Sequence, residues 1–237
     1  MATLPAVSRR AGRDLISGTT SRSWRSRLKP ADLGVRTALL LAGSALATCC
    51  YALTIRAGLG LGPLFVAQQG LARSVGISIG QAVMVSGVAL VVIAVALRSG
   101  PGPGTLVLPF LGGAMLDALL PSVPEIHGLA WETVVVLVAT WFMALGGALI
   151  IRASVGVAAY DAVMLGLRRV SGLPLAPIRL AMEFTMLVCG WLLGGRVGFG
   201  TVLTGVLIGP ALQWWLNLVG RVGRRVPTFA SGEPSVR

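Results

Sequence analysis

The sequence predicts an all-α, polytopic membrane protein: a bundle of about six transmembrane helices and two short half-helices, arranged as two tandem, inverted repeats. Three observations predict this fold class. Hydrophobic residues make up 55% of the chain and charged residues 12%, six apolar runs are long enough to cross a bilayer, and the chain resembles itself at an offset of 96 residues. A soluble domain covers its surface with polar side chains, and this composition does not supply them.

The apolar runs set the predicted number of spans. A helix needs roughly 20 apolar residues to cross about 30 Å of hydrocarbon. The six runs are 37–55, 77–97, 103–120, 131–151, 178–194 and 198–219. Two further apolar segments, 58–72 and 154–168, begin with small or helix-breaking residues and contain only 15 residues each. Segments of this kind are typical of half-helices or re-entrant segments.

The self-similarity continues in register through spans and loops. We interpret it as an internal duplication, with repeat 1 over residues 37–121 and repeat 2 over residues 131–219. Because each repeat would contain three full crossings, the second would enter the membrane from the opposite side, and we expect the two repeats to be inverted. The residues that align at the offset of 96 include Gly60 with Gly156, Arg73 with Arg169, and Gly113 with Gly209.

The net charge of +12 is concentrated in the two tails, residues 1–36 and 220–237. Basic tails are what the positive-inside bias produces, so we expect both tails in the cytoplasm and the loop 121–130 outside. No aromatic residues alternate with the arginines as a nucleic-acid stacking surface would require, so we predict no nucleic-acid partner. The predicted location is a bacterial inner (plasma) membrane, with the lipid bilayer as the partner.

Several motifs resemble those of a known family. They are Gly58-Leu-Gly-Leu-Gly-Pro63, Gly102-Pro-Gly-Thr105, Asp161-Ala-Val-Met-Leu-Gly-Leu167, Arg179-Leu-Ala-Met-Glu183 and Gly198-Phe-Gly-Thr201. In these motifs the chain resembles the YczE/YyaS/YitT family of bacterial integral membrane proteins over about residues 37–219. The resemblance implies a multi-helix plasma-membrane protein and no particular substrate. The family's first half usually carries an acid after its Gly-Pro, where this chain has Leu64-Phe65, so the resemblance does not imply a role shared by two symmetric acids.

Three ionisable residues are the first candidates for function, because charges inside a membrane are costly. Arg179 and Glu183 stand at positions i and i+4 of a predicted span, so they share one helix face. They fit a substrate or proton-coupling site and a structural ion pair equally well. Asp161 lies in the second short segment, where capping a half-helix is the simpler role and contact with a cationic ligand the alternative.

Further candidates lie in the short segments and in the last span. Phe65, Gln68, Gln69 and Tyr160 are candidates to line a substrate site together with Asp161. Gly205 and Gly209 form a GxxxG motif, which is typical of close helix packing. Packing within one chain is favoured over a homodimer, which stays open.

The predicted function is a small-molecule or ion permease with a site between the repeats. The alternative is a non-transport membrane scaffold or assembly factor, which the sparse charge of the spans favours. No Walker loop, nucleophile elbow or zinc motif is present, so we predict no enzyme and no catalytic residues. The three cysteines and single histidine have no metal-ligand spacing, so we expect neither a metal nor a cofactor.

The predicted topology can be tested by cysteine labelling. In a background that lacks Cys49, Cys50 and Cys189, an Ile126→Cys variant should react with a membrane-impermeant maleimide in intact cells. A Ser23→Cys control in the N-terminal tail should react only after the cells are opened. Labelling of the Ile126→Cys variant only in opened cells would contradict the assignment.

Overall fold

The computed structural model describes residues 30–225 with the exception of residue 157, and this part of the chain is all-helical. Most of the two predicted tails, residues 1–29 and 226–237, lies outside the described residues. The helices are α1 (Pro30–Ala57), α2 (Pro63–Val75), α3 (Ile79–Ala96), α4 (Pro103–Leu119), α5 (Leu129–Ala153), α6 (Ala159–Ser171), α7 (Leu175–Leu192) and α8 (Phe199–Arg225). A short 3-10 turn, Leu120–Ser122, follows α4.

Six of the described helices are long and apolar enough to cross a membrane, which confirms the predicted number of spans. They are α1, α3, α4, α5, α7 and α8, and each lies close to one of the six apolar runs. The helices α2 and α6 are not among them. Each has 13 residues, a length of about 20 Å at the α-helical rise, which is shorter than the hydrocarbon core.

The two short helices begin later than the apolar segments that predicted them. The expected segments start at residues 58 and 154, whereas the helices start at Pro63 and Ala159. Backbone conformation explains the first delay. Gly58 and Gly60 have φ angles of 72° and 105°, which end a right-handed helix, and Pro63 is well suited to the first helical position because it has no N–H to satisfy. Both short helices end at a left-handed glycine, Gly76 or Gly172.

The bundle is organised around α1 and α5, which pack along each other. Their closest approach is at Gly43 and Gly146, where a Cβ atom on either residue would meet the carbonyl oxygen of the other. The helix α8 packs against α5, α4 packs against α1 and α3, α2 packs against α7, and α6 packs against α3. Each short helix therefore contacts a span from the other half of the chain.

The interface between α3 and α4 is fastened by a carboxylate, which we call the Asp117 clasp. The Ser78 hydroxyl donates to Asp117 Oδ2 at 2.5 Å, and the Gly80 N–H donates to Asp117 Oδ1 at 2.8 Å. Both donors belong to the N-terminal end of α3, so Asp117 of α4 caps α3 from a neighbouring helix. The backbones are close here, because a Cβ atom on Gly80 would meet the carbonyl oxygen of Gly113.

The helices α7 and α8 lack a corresponding interface within the described chain. No atom of the described residues lies within 4 Å of the position that a Cβ atom would take at Gly205 or Gly209. The close helix packing expected at these two glycines is therefore not found in this structure. A GxxxG motif needs a neighbouring helix against which to pack, and α7 stands away from α8 at this level.

The clasp predicts a specific loss of stability. An Asp117→Ala variant leaves the Ser78 hydroxyl and the Gly80 N–H without their acceptor, which should cost about 1 to 2 kcal/mol. For a chain of this length the melting temperature in detergent should fall by about 2 to 8 °C.

A Gln213→Ala variant is the matched control. Gln213 lies on the exposed side of α8 and donates only to Asn217 at 3.4 Å, so its melting temperature should change by less than about 2 °C. An Asp117→Ala variant that melts with the unmodified protein would show that the clasp does not stabilise the α3–α4 interface.

Candidate ligand-binding cavity

A cavity of about 570 Å³ lies at the centre of the bundle. The helices α1 to α6 supply almost all of its wall, and α8 contributes Leu212. Both short helices reach it through their first turns. The helix α2 contributes Leu64, Phe65 and Gln68, and α6 contributes Ala159, Tyr160 and Asp161. The volume lies in the range of small-molecule sites.

The irregular segments that precede α2 and α6 place these first turns at the cavity. Residues 58–62 and 154–158 are not helical where they are described, so their backbone groups need partners outside a helix. The Gly200 N–H donates to the carbonyl oxygen of Leu59 at 2.8 Å, and the Gly104 N–H donates to that of Val155 at 3.1 Å. Protein groups thus replace the water that would otherwise satisfy such backbone.

Four polar atoms on the cavity wall are buried and have no hydrogen-bond partner among the described residues. They are Ser44 Oγ, Tyr51 Oη, Gln68 Oε1 and Tyr160 Oη. Ser44, Tyr51 and Gln68 are each 5% exposed or less. Buried polar atoms almost always have a partner, and leaving one without costs about 1 to 3 kcal/mol. The arrangement is therefore suited to a guest that supplies hydrogen bonds.

Two of these residues, Ser44 and Tyr51, were not predicted from the sequence. A signal was present: Ser44, Thr48 and Tyr51 recur at intervals of four and three residues in the first apolar run. This spacing puts polar side chains on one face of a helix. All three line the cavity.

Phe65 and Gln68 are held in place by neighbours in the wall. The rings of Phe65 and Tyr51 stack with their centroids 3.9 Å apart and their planes at 26°. The Gln68 amide nitrogen donates to Ser86 Oγ at 3.1 Å, so its oxygen is the end left without a partner. These contacts fix an aromatic surface and a hydrogen-bond acceptor beside each other.

Asp161 is the single charged residue among those that line the cavity in the described chain. Its carboxylate lies in the first turn of α6, where the positive end of the helix dipole favours a negative charge. The simpler role considered for Asp161, a capping hydrogen bond, is absent, since the N-cap of α6 is Ala158 and no side chain caps the helix.

The remaining candidates do not line the cavity. Gln69 accepts the backbone N–H of Arg196 at 2.7 Å and so ties α2 to the loop between α7 and α8. Arg179 and Glu183 form the expected i, i+4 ion pair, with 2.9 Å between Nε and Oε1. The Arg179 side chain is 50% exposed and that of Glu183 35%.

The groups in the cavity suit binding through hydrogen bonds and charge. In the residues described here, no three His, Cys, Asp or Glu side chains come together as metal ligands. The expectations of no metal, no cofactor, no catalytic residue and no nucleic-acid partner stay predictions.

Comparison with known proteins places these features in a wider group. A family model described as "Family of unknown function (DUF6198)" matches residues 34–217. The "Uncharacterized membrane protein YczE" of Bacillus subtilis is 28% identical over 188 residues, which cover 78% of this chain and 87% of that protein. An "Uncharacterized protein" of Haemophilus influenzae is 28% identical over 170 residues, which cover 72% of this chain and 78% of that one. No solved structure matches the chain.

These matches confirm the resemblance predicted from the motifs. The chain is a multi-pass bacterial membrane protein of the YczE type with six candidate spans.

The Arg179–Glu183 pair predicts an unusual order of mutant yields. Arg179→Gln or Glu183→Gln alone leaves one uncompensated charge in a span, which costs about 2.5 to 3.5 kcal/mol on insertion scales. Each single variant should therefore give less folded protein than the double variant, measured as the monodisperse peak in size-exclusion chromatography. Glu132→Gln, at the start of α5, is the control, because the amide oxygen of glutamine can still accept from the Gly128 N–H. If Glu183→Gln gives the unmodified yield and Arg179→Gln does not, the two residues do not act as a pair.

Proposed function

This chain belongs to DUF6198, a family of unknown function, and we propose that it is a permease for a small molecule that binds in the cavity between α2 and α6. The observation that carries the proposal is the grouping of four buried polar atoms without partners around one mostly apolar cavity. Two other such atoms in the described chain, Thr140 Oγ1 and Arg56 Nε, lie outside it. Water or a ligand in the cavity would satisfy the four atoms.

The chemistry of the wall selects the class of ligand. The Asp161 carboxylate and the Gln68 carbonyl oxygen only accept hydrogen bonds, and the two tyrosine hydroxyls both donate and accept. Phe65 and Leu64 present apolar surface beside them. A ligand with one cationic or hydrogen-bond-donating end, such as an ammonium group, and one apolar end complements this wall.

A second part of the proposal is that the chain consists of two inverted repeats. Contacts that recur at the offset of 96 residues, with the two halves exchanged, support it. The bond from Gly104 to Val155 corresponds to the bond from Gly200 to Leu59. The bond from Arg73 Nη1 to the Gly194 carbonyl oxygen corresponds to that from Arg169 Nη1 to the Arg98 carbonyl oxygen. Such reciprocity is expected when a two-fold axis relates two units.

Inversion and topology fit together in this proposal. Three crossings in each repeat make the second repeat enter from the opposite side, and six crossings return the chain to its starting side. The basic residues of both tails then place them in the cytoplasm, with the loop 121–130 outside. The membrane would be the bacterial inner membrane.

The cavity also separates this proposal from the scaffold alternative. A scaffold or assembly factor needs no ligand-sized cavity with polar atoms left over. It is favoured by the small number of charges at membrane depth away from the ends of the spans, which are Asp161 of α6 and the Arg179–Glu183 pair of α7. Binding of amines without flux across a membrane would favour a binding or scaffold role over a permease.

Ligand binding can be measured on the purified protein. A panel of primary amines with apolar tails of increasing length should raise the melting temperature, and the bound amines should then enter or leave proteoliposomes. Asp161→Asn removes the charge that pairs with the ammonium group. A charge-assisted hydrogen bond contributes about 1.5 to 3 kcal/mol, so the affinity should fall by about 10- to 100-fold.

Glu125→Gln is the matched control, because it makes the same chemical change at an exposed loop carboxylate, 68% exposed, outside the cavity. It should bind the amines as the unmodified protein does. The assignment of the ligand class is wrong if Asp161→Asn and the unmodified protein bind every member of the panel equally well.

A further inference from the structure

We propose that α7 closes onto α8 and so brings Arg179 and Glu183 into the wall of the cavity. This inference rests on the two-repeat arrangement of the proposed function, and it adds to that function a second conformation and two further ligand-facing residues. In the present structure the first half of the chain has the closed form of this interface, between α3 and α4, and the second half has the open form.

The wall of the cavity is built unequally by the two halves. The first and fifth helices contribute at equivalent positions, and so do the two short helices, as with Phe65 and Asp161. The helices α3 and α4 contribute six residues: Val83, Gly87, Leu90, Leu108, Pro109 and Gly112. At the offset of 96 these correspond to Arg179, Glu183, Met186, Thr204, Gly205 and Ile208, and none of these six lines the cavity.

Exposure shows the same difference between the two interfaces. Gly80 and Gly113 are buried against each other in the α3–α4 interface. Their counterparts at the offset of 96, Ala176 and Gly209, are both exposed. The second half therefore lacks the contact that the first half has at this level. A Cβ atom on Gly80 would meet the carbonyl oxygen of Gly113, so the Cβ atom of Ala176 keeps a closed α7–α8 pair farther apart than α3 and α4 are.

The side chains in the gap have complementary sizes. In the first half, the small residue of the pair Gly87–Pro109 is on α3. The ring of Pro109 on α4 packs directly against the backbone of Gly87. In the second half the small residue is on α8, since Glu183 of α7 corresponds to Gly87 and Gly205 corresponds to Pro109. A glycine at position 205 leaves room for the Glu183 side chain when the two helices meet.

The attachments of α7 allow this movement. Its C-terminal end is fixed to α2, where Gly190 and Gly70 are in backbone contact and the Arg73 guanidinium donates to the Gly194 carbonyl oxygen at 2.6 Å. Its N-terminal end has no equivalent of the Asp117 clasp, because Pro174 stands in the place of Ser78 and Gln213 in the place of Asp117. The start of α7 is held by Ile178 and Met182, which are buried against residues of α3 and α6. A rotation about the C-terminal end that moves Ala176 and Glu183 toward α8 has to shift this apolar packing.

Closure also explains why the Arg179–Glu183 ion pair lies in a span. Arg179 and Glu183 lie in a span and are half exposed, and polar groups in spans almost always face the protein interior or a cavity. When α7 closes, the pair moves toward Asp161 of α6, a helix that α7 already contacts. The closed site then holds two carboxylates and one guanidinium, a net negative charge that suits the ammonium end of the proposed ligand.

Cysteine cross-linking tests the closure directly and needs no ligand. In a background without the native cysteines, Ala176→Cys and Gly209→Cys are combined, and the purified protein is oxidised with copper phenanthroline. A disulfide needs Cβ atoms about 3.5 to 4.5 Å apart, so it forms only if α7 reaches α8. Both positions are open in this structure, so both substitutions fit the fold. Leu180→Cys with Gly209→Cys is the second pair, because the counterparts Met84 and Gly113 are in contact.

We expect a disulfide within one chain for both pairs, seen by mass spectrometry and as a monomer of altered gel mobility. The control pair, Phe184→Cys with Val206→Cys, should form none, because its counterparts Val88 and Phe110 stay exposed in the closed first half. Disulfide-linked dimers would overturn the proposal and assign this face to a contact between two copies. Absence of any disulfide in the folded variants would overturn it as well. Neither result affects the amine-binding test, because that test measures ligand binding in the cavity and does not depend on contact between α7 and α8.

Discussion

The structure depends on one constraint: backbone at membrane depth must find its hydrogen bonds inside the protein. Two short stretches, residues 58–62 and 154–158, break the helical pattern, and their carbonyl groups are met by the N-terminal turns of α8 and α4. Each of these contacts joins one half of the chain to the other. The requirement that irregular backbone be satisfied therefore also fixes how the two halves sit together, and the cavity lies where the first turns of α2 and α6 emerge from these contacts.

The same constraint applies to the polar atoms of the cavity wall that have no hydrogen-bond partner. Hydrogen bonds from two other helices satisfy Leu59 and Val155 in the irregular backbone. The hydroxyl groups of Ser44, Tyr51 and Tyr160 nevertheless remain without partners around the cavity. Their positions are consistent with binding to something that enters and leaves, and this reasoning underlies the permease that we propose.

The sequence predicts the parts of the fold that depend on composition and length. The number of spans and the family resemblance are confirmed, because twenty-residue apolar runs and a string such as 179–183 are local properties of the chain. The sequence places the short segments without giving the starts of their helices, since the apolar segments 58–72 and 154–168 begin with residues that the structure holds in an irregular conformation. Periodicity does not distinguish an apolar half-helix from an apolar loop that is buried in protein.

Features that need knowledge of neighbouring helices were less predictable. Asp117 stands near a span end, and nothing in its local sequence shows that it caps α3. Ser44 and Tyr51 share a helix face that the sequence does reveal, but only the packing shows that this face borders a cavity. The expected packing role of Gly205 and Gly209 is the opposite case, since the motif is present and its neighbouring helix stands away.

The α3–α4 and α7–α8 interfaces differ because only the first is held by the Asp117 clasp. With the Asp117 clasp on one side, the α3–α4 wall is held by a carboxylate that accepts two hydrogen bonds at the start of α3. On the other side, Pro174 has no hydroxyl to donate and Gln213 has no carboxylate to accept, so the start of α7 is held only by its packing. If both the α3–α4 and the α7–α8 interfaces had a clasp, both halves of the chain would form fixed walls of the cavity. If neither interface had one, the cavity would have no fixed wall against which a ligand could be oriented. With a clasp at the α3–α4 interface and none at the α7–α8 interface, one wall of the site stays fixed while the other can open.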